Sequence, residues 1–321
     1  GKNLVRNFGS LQGTELKYIC DLDEKVRRSM SALYPQATVT DDMDQALSDD
    51  SVDAVVVAVD APLHYKIASA ALSAGKHCFV EKPLTLGVED AQALKDQADK
   101  AGLKLMVGHL LEYHPAVEYM KRAIDGGHVG EPLYLYCQRV NLGIVRQAEN
   151  AWWSLAPHDV SVACHLFEAE PVSVSACGHD YLQKGIEDVV FANLKFADGR
   201  MAHIHVSWLD PHKIRKVTLV GSQKMVVFDD MQAAERVRVY DKGAEIKSVD
   251  SYVEAITLRT GDIVIPKIAG GEPLKTECQH FVDSIVNDTQ PRSDGADGVR
   301  VVKVLAAGSE SLANDGRPVK L

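Results

Sequence analysis

The chain has 321 residues, 46% of them hydrophobic and 25% charged, with a formal net charge of −10. This length exceeds one ordinary hydrophobic core, so two domains are expected. The acidic balance, without a block of Lys and Arg, argues against nucleic acid or an anionic membrane as a partner. No apolar run approaches the roughly 20 residues that span a bilayer, and the start has no signal-peptide pattern, so a cytoplasmic protein is expected.

The cysteines are typical of a reducing compartment. They have no CxxC spacing, so we expect mostly buried, reduced thiols, with neither a zinc site nor a disulfide framework. The six residues are Cys20, Cys78, Cys137, Cys164, Cys177 and Cys278.

The first segment, GKNLVRNF at 1–8, has the pattern of a helix and leads into a strand expected at Leu16–Cys20. A helix that feeds a strand in this way normally follows an earlier strand in a βαβ unit. We therefore expect a strand before Gly1, and we expect Gly1 to be the last glycine of a GxGxxG phosphate loop.

Asp21 lies at the carboxyl tip of this strand, about twenty residues after Gly1, where dinucleotide folds place an acidic residue. Such a carboxylate accepts hydrogen bonds from the adenosine ribose hydroxyls and repels a 2′-phosphate, which favours NAD over NADP. The alternative is a turn or N-cap aspartate for the helix expected at Glu24–Leu33, and one residue can serve both roles.

Helices and strands alternate without a break from Lys2 to His109, which predicts an α/β fold with a doubly wound parallel sheet. The β-branched run Val52–Val59 is typical of a strand buried on both faces. It stops at Asp60, and the next helix opens at His64. The other elements expected here are helices at Asp44–Leu47 and Val88–Ala101, and strands at His77–Val80 and up to His109.

Glu81, Lys82 and Pro83 directly follow the strand at His77–Val80. Pro has no N–H to donate, so these residues suit the rim of an open α/β sheet, where ligands bind outside the carboxyl ends of the strands. A lysine held beside a glutamate there could transfer a proton or hydrogen-bond a substrate hydroxyl. The alternative is a surface ion pair that ends the strand.

After His109 the pattern changes. A helix is expected at Pro115–Ile124, an alternating strand at Leu133–Val140 and a helix at Trp152–Phe167. Several strands separated by turn signals follow over 172–240, which predicts an α+β domain with a large, open, mostly antiparallel sheet.

The expected division is 1–112 for a dinucleotide-binding Rossmann domain and 113–321 for a substrate-binding and oligomerisation domain. In the last part we expect a loop at Tyr252–Gly271. The closing elements, of which a helix could pack back on the first domain, are helices at Leu274–Val286 and Gly298–Ala313 and a short strand at Arg317–Leu321.

Four motifs in this order resemble the glucose–fructose oxidoreductase / inositol dehydrogenase / MocA family. They are the opening dinucleotide helix, VDAVVVAV followed by Pro62 and His64, the Glu-Lys-Pro strand end, and Pro-His-Asp at 157–159. The resemblance runs nearly end to end and includes the closing segments at 272–285 and 293–312. Within the family, the opening segment and the Pro-His-Asp helix are most similar to predicted dehydrogenases of surface-polysaccharide sugar-nucleotide pathways.

The resemblance implies the roles of individual residues. Lys82 contacts the substrate hydroxyl, and His158 takes the hydroxyl proton while hydride leaves carbon for the nicotinamide. Such chemistry needs a base with a pKa near the working pH and a cation beside the developing alkoxide. Glu81 lies near the nicotinamide ribose, and the Lys82–Pro83 peptide is often cis in relatives. The implied cofactor-binding residues are Gly1, Asp21, Val59, Pro62, His64, Glu81 and Lys82.

The chain departs from the family pattern at two positions. Many relatives have an aspartate four residues before the histidine, where this chain has Ser154, which can hydrogen-bond but carries no charge. Asp159 adjoins His158, but consecutive helix residues do not face each other, so Asp159 is not expected to replace it. Relatives commonly have threonine at Asp60, whose carboxylate should point away from the pyrophosphate or pair with Lys66.

The expected substrate residues lie after the last parallel strand and on the Pro-His-Asp helix: Tyr113, His114, Trp153, Ser154 and Asp159. His109, at the same place in the chain, is a less favoured candidate for substrate contact. The open alternative for Trp152 and Trp153 is burial in a core or interface. The chain offers three further candidates for a phosphate or carboxylate ligand, with a solvated edge as the alternative: Arg139, Asn141 and Arg146. Because His203 and His205 have no Cys, Asp or Glu at ligand spacing, no metal site is expected.

The leading hypothesis is an oxidoreductase that transfers hydride between NAD and a secondary hydroxyl of a sugar, a sugar nucleotide such as a UDP-sugar, or a polyol. NADP is the less favoured cofactor. One alternative is a non-catalytic nucleotide-sensing protein, which Ser154 keeps open and the pair Lys82 and His158 opposes. Another is a reductase or dehydrogenase of small aldehydes or diols. The resemblance implies a homodimer or homotetramer.

Overall fold

The structure is a computed structural model that describes residues 1–143, 145–147, 149–247 and 255–321, without the side chains of 245–247 and 255–257. The chain divides into two compact units. The first comprises 1–110 and 271–302, and the second comprises 111–270 and 303–321.

The first unit is a set of parallel strands connected by helices. Its elements are α1 (Lys2–Phe8), β1 (Tyr18–Cys20), α2 (Glu24–Leu33), β2 (Thr38–Thr40), α3 (Met43–Leu47), β3 (Ala54–Val57), α4 (His64–Ser73), β4 (His77–Val80), α5 (Val88–Ala101), β5 (Leu105–Val107), α8 (Pro273–Val286) and the start of α9 (Gly295–Ala313). Strands β1 and β2 pair in parallel, and β3, β4 and β5 form a second parallel sheet. The predicted Rossmann-like parallel arrangement is confirmed, although these strands form two hydrogen-bonded sheets among the described residues. The strand expected before Gly1 stays a prediction.

Strand β4 is buried, as its apolar sequence predicts, whereas Ala54, Val55 and Val56 of β3 are only half-buried, less than was expected for the run Val52–Val59. Cys78, Phe79 and Val80 on β4 are fully buried, which is typical of parallel strands covered on both faces. Helix α4 ends before Gly75, whose φ of +74° lets the chain turn into β4 with little strain.

The division of the chain differs from the expected boundary at residue 112. Residues 271–302, which the expected division placed with the second domain, belong to the first unit, and the expected packing of a closing helix on the first domain is observed for α8. The physical reason is aromatic packing: the Phe281 ring on α8 meets Phe8 and Phe79 edge to face, with centroid distances of 6.2 and 5.7 Å. Helix α9 begins in the first unit and ends in the second.

The second unit is built on one large sheet. Its elements are α6 (Pro115–Asp125), β6 (Pro132–Val140), α7 (Ala151–Phe167), β7 (Pro171–His179), β8 (Val189–Phe196), β9 (Met201–Ser207), β10 (Ile214–Gly221), β11 (Met225–Asp229), β12 (Val237–Lys247), β13 (Ala255–Val264), the end of α9 and β14 (Val319–Lys320). The nine strands run in the order β13-β12-β11-β10-β6-β9-β8-β7-β14. Neighbours are antiparallel except β6 and β9, so the expected mostly antiparallel sheet is confirmed.

Helix α7 covers one face of this sheet and contacts β6, β8 and β9. Side chains therefore alternate between buried and less buried along the strands that it covers, most regularly along β8. On β6 the fully buried side chains include Leu135 and Cys137, while Tyr136 between them is half-buried.

The prediction of a loop at Tyr252–Gly271 is partly wrong. Ala255–Val264 form β13, an antiparallel partner of β12 in which Thr260 lies opposite Lys242. The cross-strand hydrogen bonds of this long pair supply the regularity that the local sequence does not reveal. Residues 252–254 lie outside the described residues. No helix in the described ranges is both long enough and apolar enough to cross a membrane.

Candidate active site

Asp21 directly follows β1, at the carboxyl edge of the sheet that β1 forms with β2. Its backbone N–H donates to Thr40 O at 3.1 Å, so the tips of β1 and β2 lie side by side. Its Oδ1 accepts from the Asp23 N–H at 2.8 Å, and Asp23 in turn caps α2 by accepting from Lys25. The predicted strand-tip position is therefore observed, and the N-cap is Asp23 rather than Asp21.

Gly1 is the N-cap of α1 and is exposed. A Cβ built on Gly1 would approach Ala58 O at 3.9 Å, an ordinary contact distance. The first N–H groups of a helix lack partners within it and favour an anion. A phosphate-binding role for Gly1 stays a prediction.

His64 occupies a different position from the other expected cofactor residues, because it is buried at 1% exposure. Its Nδ1 lies 2.7 Å from Pro83 O and its Nε2 lies 3.0 Å from Val59 O. Both ring nitrogens thus face backbone carbonyls of the first unit. His64 holds together the turns after β3 and β4, and Val59 and the neighbouring Pro62 remain exposed at the first of these turns.

Glu81, Lys82 and Pro83 extend from the carboxyl end of β4, as the sequence predicts. The Lys82–Pro83 peptide bond is cis, as the resemblance implies. Glu81 and Lys82 are half-buried, and Glu81 Oε2 accepts from the Lys82 N–H at 3.2 Å. A Cβ on Gly108 would lie 3.1 Å from this Oε2 atom, so the absent side chain at 108 leaves room for the Glu81 carboxylate.

Asp60 is exposed and begins the short 3₁₀ turn Ala61–Leu63 without a side-chain capping bond. Among the ion pairs of the described residues, none joins Asp60 to Lys66. Of the two alternatives for Asp60, the pair with Lys66 is therefore not observed, and water solvates the exposed carboxylate.

His109 ends the parallel-strand region and packs inside the first unit. It is 1% exposed, and its Nδ1 lies 2.5 Å from Asp297 Oδ2 on the first turn of α9. Arg300 donates to the other oxygen of Asp297 at 2.9 Å. These contacts join the end of β5 to α9, and a substrate contact for His109 stays a prediction.

In the second unit, His158 lies on α7 and is half-buried. Two bonds to the part of α9 in the same unit anchor the turn before it. Trp152 Nε1 donates to Leu305 O at 2.9 Å, and Trp153 Nε1 donates to Ser309 Oγ at 2.8 Å. Trp152 is fully buried, which agrees with the alternative that it belongs to a core. The indole N–H of Trp153 is used in the bond to α9.

Ser154 and Asp159 are both buried, at 8% and 1% exposure. Asp159 makes a two-point ion pair with Arg139 on β6: Nε donates to Oδ2 at 2.9 Å, and Nη2 donates to Oδ1 at 3.0 Å. Asp159 therefore faces the sheet and does not replace the family aspartate, as its helix position indicates. The solvated-edge reading of Arg139 is wrong, because Arg139 is itself buried.

Burial and the charge of Asp159 act in opposite directions on the pKa of Arg139. Burial alone would lower the pKa of the Arg139 guanidinium, but the Asp159 carboxylate raises it above its ordinary value. The pair is thus a charged, hydrogen-bonded link between β6 and the α7 turn that carries His158.

Tyr113 and His114 have contacts that explain their positions without a substrate. Tyr113 is 1% exposed. His114 Nδ1 accepts from the Ala116 N–H at 3.1 Å and so caps α6, while its ring packs on Phe228 at a centroid distance of 4.7 Å. Burial lowers the pKa of His114 below its usual value. A substrate role for either residue stays a prediction.

The remaining polar candidates of the second unit are held by local contacts. Arg146 Nε lies 3.6 Å from Glu149 Oε1, in a partly exposed pair, and the Asn141 N–H donates to Ser207 O at 3.2 Å. His203 Nδ1 lies 2.8 Å from Asn193 Oδ1. His205 stacks on Phe191 with a centroid distance of 4.3 Å.

Sequence reasoning missed the partners of two arginines. Arg27 lies between the tips of β1 and β2, where it pairs with Asp41. Arg139 stands at an inward position of β6, two residues after the buried Cys137. An arginine at a position that the strand periodicity places on the buried side needs a carboxylate partner. The alternation along β6 could therefore have predicted a buried ion pair for Arg139.

The residues of the first unit fit a dinucleotide. The structure combines a strand-tip carboxylate at Asp21 with a position beside Glu81, at Gly108, that has no side chain. In open α/β sheets, ligands bind at this edge. When bound, NAD supplies the acceptor for a hydride.

Comparison with known proteins gives matches along most of the chain. Residues 1–109 match the model of the oxidoreductase family with an NAD-binding Rossmann fold, GFO/IDH/MocA, and residues 117–227 match the GFO/IDH/MocA C-terminal domain. The chain is 25% identical over 296 residues to scyllo-inositol 2-dehydrogenase (NAD(+)) of Bacillus subtilis, covering 88% of this chain and 81% of that protein.

Two further similarities involve one enzyme of Acidithiobacillus ferrooxidans. UDP-N-acetylglucosamine 3-dehydrogenase is 28% identical over 252 residues, which cover 78% of this chain and 76% of that enzyme. A solved structure of that enzyme superposes with a TM-score of 0.81 at 23% identity, covering 98% and 94% of the two chains, and supports the fold. The chain belongs to the GFO/IDH/MocA oxidoreductase family, with its NAD-binding Rossmann domain at 1–109 and its C-terminal domain at 117–227.

Proposed function

We propose that the protein is an NAD-dependent dehydrogenase that oxidises a secondary hydroxyl of a sugar, sugar nucleotide or cyclic polyol. The observation that carries this proposal is the position of Lys82, half-buried at the carboxyl end of β4 within the NAD-binding domain. Relatives named for inositol and for UDP-N-acetylglucosamine support the substrate class.

In the proposed reaction the substrate C–H bond breaks as hydride leaves, and the hydroxyl loses its proton. Lys82 holds the hydroxyl oxygen, and its ammonium group stabilises the negative charge that develops there. His158 accepts the hydroxyl proton, as the resemblance implies, and returns it in the reverse direction. Asp21 accepts hydrogen bonds from the adenosine ribose hydroxyls.

The first experiment measures NADH absorbance with NAD and separate panels of UDP-sugars, hexoses, inositols and diols. Turnover is expected with a member of the first three panels. Lys82→Ala should reduce kcat by at least about a hundredfold, because both the hydroxyl contact and the charge are lost. Isothermal titration calorimetry should show that this variant still binds NADH.

Lys66→Ala is the matched control, because Lys66 is an exposed lysine of the same unit. Full activity of Lys82→Ala, or equal loss of activity in both variants, would contradict the role of Lys82. Turnover confined to diols would move the substrate class to small alcohols. NADH binding without turnover in any panel would favour a nucleotide-sensing protein, in which Ser154 replaces a catalytic carboxylate.

A further inference from the structure

The adenosine edge of the first unit contains a cation beside Asp21. Arg27 of α2 donates from Nη1 to the backbone carbonyls of Asp21 and Leu22, at 2.9 Å each. Its Nη2 lies 3.0 Å from Asp41 Oδ2. One side of the guanidinium is thus fixed at the tip of β1, and its charge is paired with a carboxylate that follows β2.

The parallel pairing of β1 and β2 creates this arrangement. Cys20 lies opposite Thr40, and the Asp21 N–H donates to Thr40 O, so the residues that follow the two strands meet at one edge. Asp41 is therefore close to Arg27 although Asp41 belongs to a different βα connection. The separation in the chain hides the pair from sequence patterns.

An arginine at this edge has a known chemical consequence. In dinucleotide folds an acidic residue at the strand tip binds the ribose hydroxyls of NAD, whereas a nearby arginine accommodates the 2′-phosphate of NADP. A guanidinium matches phosphate well, because it offers several N–H donors in one plane. This chain has both the acidic residue and the arginine, so one of them must be prevented from acting.

We propose that Asp41 is a second determinant of the preference for NAD, because it engages Arg27 and so withholds that cation from a 2′-phosphate. The inference rests on the proposed NAD-dependent function and extends it to a residue outside the strand-tip position. Asp21 repels the phosphate directly, and Asp41 neutralises the group that would attract it. Replacing Asp21 alone leaves the pair of Arg27 and Asp41 intact.

Because the pair of Arg27 and Asp41 lies at the surface, Arg27 can bind a phosphate once Asp41 is replaced by a neutral residue. The Asp41 side chain is 60% exposed, so its replacement should not unfold the protein. The two carbonyl bonds still hold Nη1 of Arg27 at the β1 tip. Its remaining N–H groups are then open to a phosphate.

Calorimetric titration of the whole chain with NADH and with NADPH tests the proposal without any need for turnover. The variants are Asp21→Ser, Asp21→Ser with Asp41→Asn, and this double variant with Arg27→Met. We expect the NADPH/NADH affinity ratio to rise a further tenfold, about the value of one charge-assisted hydrogen bond, when Asp41→Asn is added to Asp21→Ser. Adding Arg27→Met should remove this gain.

Asp42 provides the matched control, because it is the adjacent carboxylate and bonds elsewhere: it caps α3 by accepting from the Asp44 N–H at 3.0 Å. Asn is also a good N-cap, so Asp21→Ser with Asp42→Asn removes the same charge without releasing Arg27. If both double variants raise the ratio equally, general charge explains the effect and the proposal is overturned.

The remaining outcomes separate this inference from the proposed function. An unchanged ratio in the Asp41→Asn double variant, with normal NADH binding by the original chain, overturns the inference alone. A gain that survives Arg27→Met also overturns it. Failure of the original chain to bind NADH overturns the NAD-dependent function and the inference together. Circular dichroism melting of each variant shows whether a lost affinity reflects unfolding.

Discussion

His64 shows how a residue of a family motif can act on the cofactor site from inside the fold. The sequence places it just after an exposed turn, which suggests contact with the cofactor. In the structure its ring is buried and lies between the carbonyls of Val59 and Pro83. The ring therefore fixes the two turns that carry exposed Val59 and half-buried Lys82.

His64→Ala should destabilise the first unit and weaken NADH binding together. The substitution removes the imidazole that bonds the buried Pro83 carbonyl, a loss of about 1–3 kcal/mol in the free energy of unfolding. Calorimetry with NADH and thermal melting measure the two effects. Tyr65→Ala is the control, since Tyr65 is the next residue of α4 and is exposed. NADH affinity equal to that of the control variant would show that the turns keep their positions without His64.

At the level of elements, α7 is held to its surroundings by polar bonds at successive turns. Asn150 caps it by accepting from the Trp153 N–H, the two indole groups bond to α9, and Asp159 bonds to β6. His158 thus lies on a helix that is fixed on two sides within the second unit. A rigid support of this kind suits a residue that must accept a proton from one defined direction.

The ion pair of Arg139 and Asp159 allows a quantitative prediction. Arg139→Met or Asp159→Leu alone should lower the free energy of unfolding by about 3–5 kcal/mol, because each leaves a buried charge without its partner. The double variant should lie within about 1 kcal/mol of the original chain, since apolar groups then replace both charges.

Urea unfolding followed by tryptophan fluorescence measures the stability of the single and double variants. The signal reports on the second unit, which contains the ion pair, because Trp152, Trp153 and Trp208 all belong to that unit. Single variants with losses below about 1 kcal/mol would indicate that water reaches the charges. Additive losses in the double variant would mean that packing, rather than the ion pair, sets the stability.

At the scale of the whole molecule, burial of histidines makes stability depend on pH. Burial lowers the pKa of several ring groups below their ordinary value: His77, His114, His203, His205 and His280. Between the lowered pKa of the folded state and the ordinary pKa of the unfolded state, the unfolded chain binds more protons. Stability is therefore fully present above about pH 6.5 and decreases as the pH falls through this window.

We expect the melting temperature to fall between about pH 7.5 and pH 5.5. The double variant His203→Gln and His205→Gln should show a shallower decrease, because two of the titrating groups are gone. Differential scanning calorimetry across this range measures both slopes. A melting temperature that rises on acidification, or identical slopes for the two proteins, would contradict the assignment of the effect to buried histidines.

The sequence by itself determined the parallel α/β unit, the mostly antiparallel second sheet and the strand-tip positions of Asp21 and Lys82. These features depend on local periodicity and on residues at the ends of strands, so the chain displays them directly. The same local reasoning showed that Asp159 could not face the way His158 does on one helix.

Only the tertiary structure decided which distant groups meet. It joined Arg27 to Asp41, His64 to Pro83 and Arg139 to Asp159. It also assigned residues 271–302 to the first unit and paired β13 with β12. Each of these contacts depends on packing between elements far apart in the chain, and neither periodicity nor residue spacing contains that information.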